Sequence, residues 1–218
     1  LTSQMRWKRQ EKKSNPETCF CRVCFNPIED DTLHSLLTSN KTICYKCFSK
    51  SNPILKKFKI LDINALSIYP YDEFIRSNLY QLKGCFDIEL ASIFLEYYAS
   101  YLNIKYFGYV IVPAPSYIDA DTFRGFNHVQ EIFKTLKLEQ YPCIKKTKQS
   151  DLNFHERQSI KESLIFDEKF NIKDKKILLV DDVLTTGSTM KAMIQLIKNH
   201  HPKKIEVLVM SMVVNKDK

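Results

Sequence analysis

Residues 176–190 have the sequence KILLVDDVLTTGSTM, in which a buried strand, two acids, a hydroxyl-rich loop and the start of a helix follow one another directly. Ile177 to Val180 are all apolar, which is typical of a parallel strand covered on both faces. Asp181 and Asp182 therefore lie at the carboxyl end of this strand, the edge at which open α/β sheets bind ligands. We interpret this order of elements as a phosphate-binding site in an α/β fold.

The loop after the two acids carries the groups that bind a phosphate. It runs through Thr185, Thr186, Gly187, Ser188 and Thr189. Its backbone N–H groups and hydroxyls are hydrogen-bond donors, and the dipole of the following helix adds partial positive charge. A strand end followed by an ordinary helix cap needs only one Ser, Thr or Asp, so the whole arrangement favours a site for a 5-phosphate.

This segment resembles the ribose-phosphate motif of type I phosphoribosyltransferases, in which four apolar residues and two acids precede a Thr-Thr-Gly-x-Thr loop. The resemblance implies that Asp181 and Asp182 bind the ribose hydroxyls, directly or with Mg²⁺. It implies further that residues 185–189 hold the 5-phosphate of phosphoribosyl pyrophosphate.

The composition is that of a globular protein, with 44% hydrophobic and 27% charged residues in a chain of 218. This length suits one domain of ordinary size and a small appendage. No apolar run approaches the roughly 18 residues of a membrane span, and the amino terminus lacks the apolar segment of a signal peptide. We therefore expect a cytoplasmic protein and exclude a chain that is disordered throughout.

The net charge of +8 favours a polyanionic partner. Part of the excess lies within residues 1–18, which we predict to form a basic flexible tail because they show no hydrophobic periodicity. A second cluster contains Lys145, Lys146 and Lys148. For either cluster alone, a solvated surface and a nucleic-acid contact are equally consistent with the sequence.

Four of the seven cysteines have the spacing of a zinc site. Cys21 and Cys24 form one Cys-x-x-Cys pair, Cys44 and Cys47 form another, and nineteen residues separate the two pairs. Disulfides are rare in the cytosol. We therefore predict a structural four-thiolate zinc finger over residues 19–50, which takes its folding energy from the metal.

The other three cysteines are interpreted differently. Cys19 competes as a ligand but lacks the two-residue spacing, so we leave it outside the site, and His34 is a weaker rival. Cys85 and Cys143 lie far from the two pairs and are predicted to be core residues. A cluster of buried cysteines without metal and a redox pair are the alternatives to zinc.

Strands and helices alternate from about residue 65 onwards, which predicts a parallel sheet flanked by helices. The predicted strands cover about 65–71, 106–112, 141–146, 177–182 and 205–214, and the predicted helices cover about 73–83, 86–97, 128–137 and 190–199. Two prolines end the second of these strands, in Val112-Pro113-Ala114-Pro115.

Several motifs together resemble the ComF family of competence-associated, phosphoribosyltransferase-like proteins over about residues 19–214. They are the four-cysteine finger, the acidic Thr-Thr-Gly loop, Leu82-Lys83, Val112-Pro113-Ala114-Pro115 and, most distinctively, Arg124-Gly125-Phe126-Asn127. The resemblance implies a type I phosphoribosyltransferase-like α/β domain over residues 51–218, joined to the amino-terminal zinc finger.

The resemblance also implies roles at the pyrophosphate end of the ligand. The turn after the second strand would contact pyrophosphate through Pro113 and Ala114, with Lys83 or Arg124 offsetting the negative charge. Two prolines remove two backbone donors, which indicates a weak or altered pyrophosphate half. Arg124 has an alternative role as a surface residue that fixes the loop before the next helix.

The resemblance implies a role in natural transformation. Such a protein would handle incoming single-stranded DNA at the cytoplasmic side, with a competence helicase and DNA-processing proteins that bring it to the inner face of the membrane. The candidate DNA contacts are basic or aromatic: Arg124, Phe126, Lys145, Lys146, Lys148 and Arg157. Arg157 lies in a segment that resembles the family's mobile region, except that Ile160 replaces the usual Asn.

Two other functions stay open. In the first, the chain is an active phosphoribosyltransferase in nucleotide salvage or amide transfer. In the second, it is an adaptor whose zinc finger docks the helicase and whose active site is vestigial. The sequence shows no pocket for a particular base and names no catalytic residue, and fold alone does not imply activity. The histidines His128, His155, His200 and His201 lack a motif and are predicted to be surface or capping residues.

Overall fold

Seven strands lie within residues 19–28, 42–116, 118–147 and 163–214, the parts of the chain that this computed structural model describes. They are β1 (Lys56–Ile60), β2 (Ile63–Pro70), β3 (Tyr109–Pro113), β4 (Ile144–Thr147), β5 (Ser163–Phe166), β6 (Lys176–Leu184) and β7 (Lys204–Met212). The main sheet has the order β1-β2-β7-β6-β3. Its strands pair in parallel except in the antiparallel hairpin of β1 and β2. The strands β4 and β5 form a separate antiparallel pair.

Helices cover both faces of the main sheet. The α-helices are α1 (Tyr45–Phe48), α2 (Glu73–Gly84), α3 (Ala99–Lys105), α4 (Ile118–Arg124), α5 (His128–Phe133) and α6 (Ser188–Lys198), and 3₁₀ turns span Ser49–Ser51, Ile88–Phe94 and Glu96–Tyr98. Helix α2 begins where the Asp72 carboxylate accepts a hydrogen bond from the Ile75 N–H at 3.0 Å. Within the described residues, no helix has the length and hydropathy that a membrane span requires.

Strand β6 lies between β7 and β3, and its side chains alternate between the two faces of the sheet. Leu178 and Val180 pack in a cluster with α2, α5 and the 3₁₀ turns, whereas Ile177 and Leu179 pack in a cluster with α6. All four side chains are fully buried. The predicted strand with two covered faces is therefore confirmed, within an α/β fold.

The cysteine-rich segment packs directly on the α/β domain. Ile43 and Cys47 are buried in the same hydrophobic cluster as Leu90. The Phe48 ring stacks on that of Tyr97, with ring centroids 3.6 Å apart. The cysteine-rich segment and the α/β domain therefore share one core, and unfolding of the first would remove contacts from the second.

One predicted strand does not join the main sheet. Residues 139–141 run beside β3, where the Ile111 N–H donates to Glu139 O at 2.8 Å and the Tyr141 N–H donates to Ile111 O at 2.8 Å. Pro142 has no N–H with which to extend this pairing, and the following strand β4 pairs only with β5. The prediction that 141–146 continues the sheet was wrong for this reason.

The predicted helix over 86–97 was wrong in type. Phe86 has a left-handed backbone with φ 61, and two 3₁₀ turns follow it in place of an α-helix. Nearly every side chain from 90 to 95 is buried. Packing on more than one side therefore fixes this backbone, because tertiary contacts override helix propensity.

Strand β1 was not predicted at all. Its sequence KKFKI is mostly charged, and only its last residue, Ile60, is buried. The turn that joins it to β2 is formed by Leu61 and Asp62, both with positive φ. This turn lacks the Gly or Asn that usually indicates a tight hairpin.

Truncating a buried side chain should destabilise the fold far more than truncating an exposed one of the same size. Ile132 on α5 is 0% exposed, and Ile104 on α3 is 79% exposed. We expect Ile132→Ala to lower the free energy of unfolding by about 2–4 kcal/mol, because it leaves a cavity, and Ile104→Ala by less than about 0.5 kcal/mol. Equilibrium unfolding in urea measures both, and equal losses would contradict this core.

Candidate functional site

The two acids at the carboxyl end of β6 have different surroundings. Asp181 is half-buried, and its Oδ1 accepts a hydrogen bond from the Asp182 N–H at 2.9 Å. Asp182 is 6% exposed, and its Oδ1 accepts a hydrogen bond from the Val183 N–H at 2.7 Å. Successive side chains of a strand point to opposite faces, so the two neighbouring carboxylates meet different partners.

Side chains from three other elements converge on Asp182. Its Oδ2 forms an ion pair with Lys83 Nζ from the last turn of α2, and it lies 3.3 Å from Nε2 of His128 at the start of α5. The guanidinium of Arg124, at the end of α4, donates to His128 Nδ1 at 3.0 Å. Because a guanidinium cannot accept, Nδ1 is the acceptor, and Nε2 is the ring nitrogen that carries the proton.

This network sets the charge of its members. Burial alone would raise the pKa of Asp182, but the adjacent His128 and the charge of Lys83 outweigh burial and hold that pKa well below its usual value. Burial, and then the neighbouring Asp182, raise the pKa of Asp181. Burial, together with the charges of Lys83 and Arg124, lowers the pKa of His128 against the opposing effect of Asp182. Asp182 is therefore ionised, and His128 is a neutral hydrogen-bond donor.

Residues 124–127, the Arg-Gly-Phe-Asn motif, support this network. Arg124 Nε donates to Lys83 O at 3.2 Å, and Arg124 Nη1 donates to Asp121 Oδ1 at 3.2 Å. Asn127 caps α5 by accepting from the Gln130 N–H at 2.9 Å, and its Nδ2 donates to Asp121 Oδ2 at 2.8 Å. The motif thus fixes the backbone on both sides of the ion pair.

Two predicted contact residues in this motif point inward. The Arg124 side chain is 11% exposed. The half-buried Phe126 ring packs against the core, and the Arg124 guanidinium lies 5.8 Å from its centroid. Arg124 therefore acts on the site through Lys83 and His128.

Sequence reasoning missed His128. The residue is 7% exposed, and its Nε2 lies 3.3 Å from Asp182 Oδ2, so the prediction of a surface or capping residue was wrong. Its position could have indicated the role, because it directly follows the Arg-Gly-Phe-Asn motif and opens a helix whose inward side, with Val129 and Ile132, is otherwise apolar. A lone histidine on such a side needs a polar partner.

The predicted phosphate loop leads from β6 into α6. Gly187 immediately precedes the helix and has φ +73, a left-handed backbone that residues with a Cβ rarely adopt. The Thr186 and Ser188 hydroxyls are 2.9 Å apart, and Thr185, Thr186 and Ser188 are exposed. The first N–H groups of α6 have no partner within the helix. The loop therefore offers donors at the edge of the sheet.

The turn after β3 offers few donors. The Ala114 N–H donates to Val180 O at 2.8 Å, and Pro113 and Pro115 have no N–H. A cavity of about 150 Å³ lies beside the turn, and its lining includes Lys145 and Lys146. Residues 113–115 thus present no uncommitted backbone N–H to a pyrophosphate.

The predicted DNA contacts are only partly described. Lys145 and Lys146 lie on β4, where Lys145 Nζ donates to Asp167 Oδ2 at 2.7 Å and its side chain is 55% exposed. Lys148 and Arg157 lie outside the described residues, as do the predicted tail over 1–18, His34 and His155. Their proposed roles stay predictions.

The four predicted metal ligands come together. The Sγ atoms of Cys21, Cys24, Cys44 and Cys47 all lie within 4.8 Å of one another, and those of Cys24 and Cys44 are 3.8 Å apart. Tetrahedral bonds of about 2.3 Å to zinc also place two sulfurs about 3.8 Å apart. Burial raises the pKa of Cys21, but the N–H groups of Cys44, Cys24 and Val23 outweigh it and lower that pKa to about 7, whereas burial raises the pKa of Cys44 and of Cys47. The cluster could therefore hold a metal ion.

The other three cysteines differ in location and burial. Cys19 is not part of the four-sulfur cluster. Cys143 is buried, as predicted, but Cys85 is exposed. The prediction of a core position for Cys85 was wrong, because α2 ends at Gly84 and the chain is at the surface where it leaves the helix.

The chain is similar to several known proteins. The family model of the phosphoribosyl transferase domain matches residues 126–214. The competence protein ComFC of Streptococcus pneumoniae is 24% identical over 201 residues, which cover 88% of this chain and 87% of that protein. A hypoxanthine-guanine phosphoribosyltransferase from Bacillus anthracis has a TM-score of 0.41 and 15% identity, over 60% of this chain and 81% of its own. A purine phosphoribosyltransferase from Pyrococcus horikoshii has a TM-score of 0.36 and 19% identity, over 57% of this chain and 72% of its own.

The domain match, the competence relative and the four-cysteine cluster together support a ComF-family protein. The fold is accordingly a type I phosphoribosyltransferase-like α/β domain with an amino-terminal four-cysteine cluster.

Removing two of the four thiols should remove the metal. We expect about one zinc ion per chain in the unaltered protein and close to none in Cys44→Ser with Cys47→Ser. The α/β domain should still fold, but with a lower thermal midpoint, because Cys47 belongs to the shared core. Elemental analysis and thermal unfolding measure the two effects.

The exposed Cys85 provides the matched control, since Cys85→Ser should keep both the zinc and the thermal midpoint. An unchanged zinc content in the double variant would show that these thiols are not the ligands.

Proposed function

We propose that this protein is a competence protein that handles incoming single-stranded DNA during natural transformation and binds a ribose phosphate at the carboxyl edge of its sheet. The competence relative and the domain match support this class of function. The observation that carries the proposal is a phosphate loop that follows Asp182 in the chain, together with an exposed aromatic pair, Phe86 and Phe123, within three positions of Lys83 and Arg124. The proposed location is the cytoplasmic side of the membrane, with a competence helicase and DNA-processing proteins as partners.

The ribose-phosphate site would be formed by residues 185–189 and Asp181. The loop would bind the 5-phosphate through its hydroxyls and the first N–H groups of α6. Asp181 is the more exposed of the two acids and would accept hydrogen bonds from the ribose hydroxyls. Mg²⁺, when bound with phosphoribosyl pyrophosphate, neutralises charge on the phosphates.

Phe86 and Phe123 form the aromatic pair. Their ring centroids are 5.4 Å apart in an edge-to-face arrangement, and the residues are 41% and 80% exposed. Phe86 lies three positions after Lys83, and Phe123 directly precedes Arg124, the two residues that a hydrogen bond joins. Phe86 also has φ 61, a left-handed backbone that is unusual for an aromatic residue. Exposed rings of this kind would stack unpaired bases, a role better suited to Phe123 than to the half-buried Phe126.

Basic side chains would follow the DNA backbone. Lys145 and Lys146 lie on β4 beside the turn that ends β3, and the whole chain has a net charge of +8. Contacts between lysines and phosphates do not depend on base sequence and weaken as salt is added. Because the bases of a duplex are not free to stack on protein rings, the combination favours single strands.

A pure adaptor is the second candidate. Phe20 and Phe25, beside the four-cysteine cluster, are 57% and 75% exposed, and aromatic residues are enriched at protein interfaces. Docking of a helicase through these rings would be compatible with DNA binding at the sheet edge. An active phosphoribosyltransferase has less support, since residues 113–115 give few donors to a pyrophosphate.

Ribose 5-phosphate should raise the thermal midpoint by binding the folded state. Gly187→Val should remove most of this shift, because a side chain at φ +73 forces the loop into another conformation. Scanning fluorimetry over a range of ligand concentrations measures the shift.

Gly108→Val is the matched control. Gly108 has φ +77 and open space around it, and it lies before β3, at the opposite end of the sheet. This variant should have a lower midpoint but the same ligand-induced shift. A full shift in Gly187→Val would place the ligand elsewhere.

Single-stranded DNA should bind more tightly than duplex DNA of the same length. Phe123→Ala should weaken the single-strand complex by about 1–3 kcal/mol, the range for loss of one base-stacking ring. Fluorescence anisotropy of a labelled oligonucleotide, in about 50 mM and then about 200 mM salt, measures affinity and its salt dependence.

Phe107→Ala controls for the loss of an exposed ring, since Phe107 is 82% exposed but lies before β3, away from the site. Equal weakening by the two variants would contradict the proposed surface. Failure of the unaltered protein to bind single strands even in the lower salt would leave the competence role to protein partners and favour the adaptor.

A further inference from the structure

The Asp182 carboxylate already has a cation beside it. Its Oδ1 accepts from the Val183 N–H at 2.7 Å, and its Oδ2 forms an ion pair with Lys83 Nζ and lies 3.3 Å from His128 Nε2, with hydrogen-bond geometry to neither. Only 6% of the residue is exposed. A divalent cation that bound Oδ2 directly would have to displace Lys83, so the place for a metal at Asp182 is already taken by a charged side chain.

Lys83 is positioned through its backbone as well as its ammonium group. Its carbonyl oxygen accepts from Arg124 Nε at 3.2 Å, and the preceding Leu82 is fully buried in the core. The Lys83 side chain is 33% exposed. Its backbone is therefore held in place, unlike that of a free surface lysine, and its partly exposed side chain reaches Asp182.

Asp181 differs from Asp182 in its contacts and its exposure. Its Oδ1 accepts from the Asp182 N–H at 2.9 Å, and among the described residues it forms no ion pair with a Lys, Arg or His. It is also more exposed than Asp182. Of the two carboxylates, Asp181 is the one that is open to a ligand.

We propose that Lys83 is the resident cation of the ribose-phosphate site. Its ammonium group takes the place beside Asp182 that a divalent cation would otherwise take, and ribose 5-phosphate binds to Asp181 and residues 185–189 without Mg²⁺. Asp182 is then a positioning residue that holds the lysine. This inference rests on the proposed ribose-phosphate site and replaces the expectation that both acids act alike.

Two free-energy costs oppose the replacement of Lys83 by Mg²⁺ beside Asp182. Mg²⁺ requires nearly ideal octahedral geometry and gives up its water reluctantly. Removing Lys83 from Asp182 breaks an ion pair at a buried carboxylate, which is strongly unfavourable when no equal partner replaces it. His128 remains, but it is a neutral donor and does not supply the missing charge.

The test uses the whole chain with ribose 5-phosphate and compares its thermal shift in EDTA and in Mg²⁺. We expect equal shifts for the unaltered protein. Lys83→Met should lose most of the shift in EDTA and regain it in Mg²⁺. Mn²⁺, whose electron paramagnetic resonance signal reports the free ion, should bind this variant at least roughly tenfold more tightly, because the carboxylate has lost its counter-ion.

Two variants control for side effects. Lys134→Met removes a lysine from a different ion pair, with Glu131, and should behave as the unaltered protein. Lys83→Met with Asp182→Asn removes both charges and should not gain Mn²⁺ affinity. The unaltered protein alone decides the question if a variant does not fold, because only the comparison of EDTA with Mg²⁺ is then needed.

The outcomes separate this inference from the proposed function. A shift that requires Mg²⁺ in the unaltered protein would overturn the role of Lys83 and leave the ribose-phosphate site standing. The role would also be overturned by a Lys83→Met variant with an unchanged shift in EDTA and unchanged Mn²⁺ affinity. No shift in any condition would show that the ribose-phosphate site itself is wrong.

Discussion

The buried, ionised carboxylate of Asp182 is the constraint around which the site is organised. A charge in this position is costly unless hydrogen bonds and an opposite charge compensate it. The compensation comes from Lys83, from His128 and, through His128, from Arg124. These residues lie on three separate elements, so the last turn of α2, the end of α4 and the start of α5 are all held at the carboxyl end of β6.

This constraint explains why motifs that are far apart in the sequence occur together. Leu82 is buried and Lys83 is ion-paired, which accounts for the Leu-Lys motif at the end of α2. In Arg-Gly-Phe-Asn, the arginine orients His128 and the asparagine begins its helix. Each motif supplies one part of the same compensation, and losing any part would leave a buried polar group unsatisfied.

The strand and the loop of the site could be predicted from the sequence because both depend on local rules. Continuous apolar residues indicate a strand with two covered faces, and paired Cys-x-x-Cys spacing brings four thiols together. His128, the 3₁₀ turns after Phe86 and strand β1 could not be predicted, because contacts between distant residues determine them. Pairing with β2 forms β1 despite its charged sequence, and Asp182, 54 positions away, gives His128 its role.

Because successive side chains of a β-strand point to opposite faces, the two adjacent acids have different surroundings. Asp182 lies on the side covered by α2 and α5, whose Lys83 and His128 side chains lie beside its Oδ2, and Asp181 is left more exposed. Two consecutive acids in a strand therefore do not have the same surroundings. The proposed role of Lys83 accordingly gives the two acids different roles, whereas the motif alone implies equal ones.

The cysteine-rich segment also affects the surroundings of Asp182, through its packing on the α/β domain. Arg22 donates to Glu89 O at 2.7 Å and to Ser92 Oγ at 2.9 Å, and so holds the 3₁₀ turn Ile88–Phe94. Leu90 in that turn shares a hydrophobic cluster with Leu82 of α2 and Val129 of α5, the neighbours of Lys83 and His128. Since packed interiors transmit displacement, order in the cysteine-rich segment contributes to the position of the donors around Asp182. The four-cysteine cluster and the candidate site are therefore parts of one packed structure, although they are separated in the sequence.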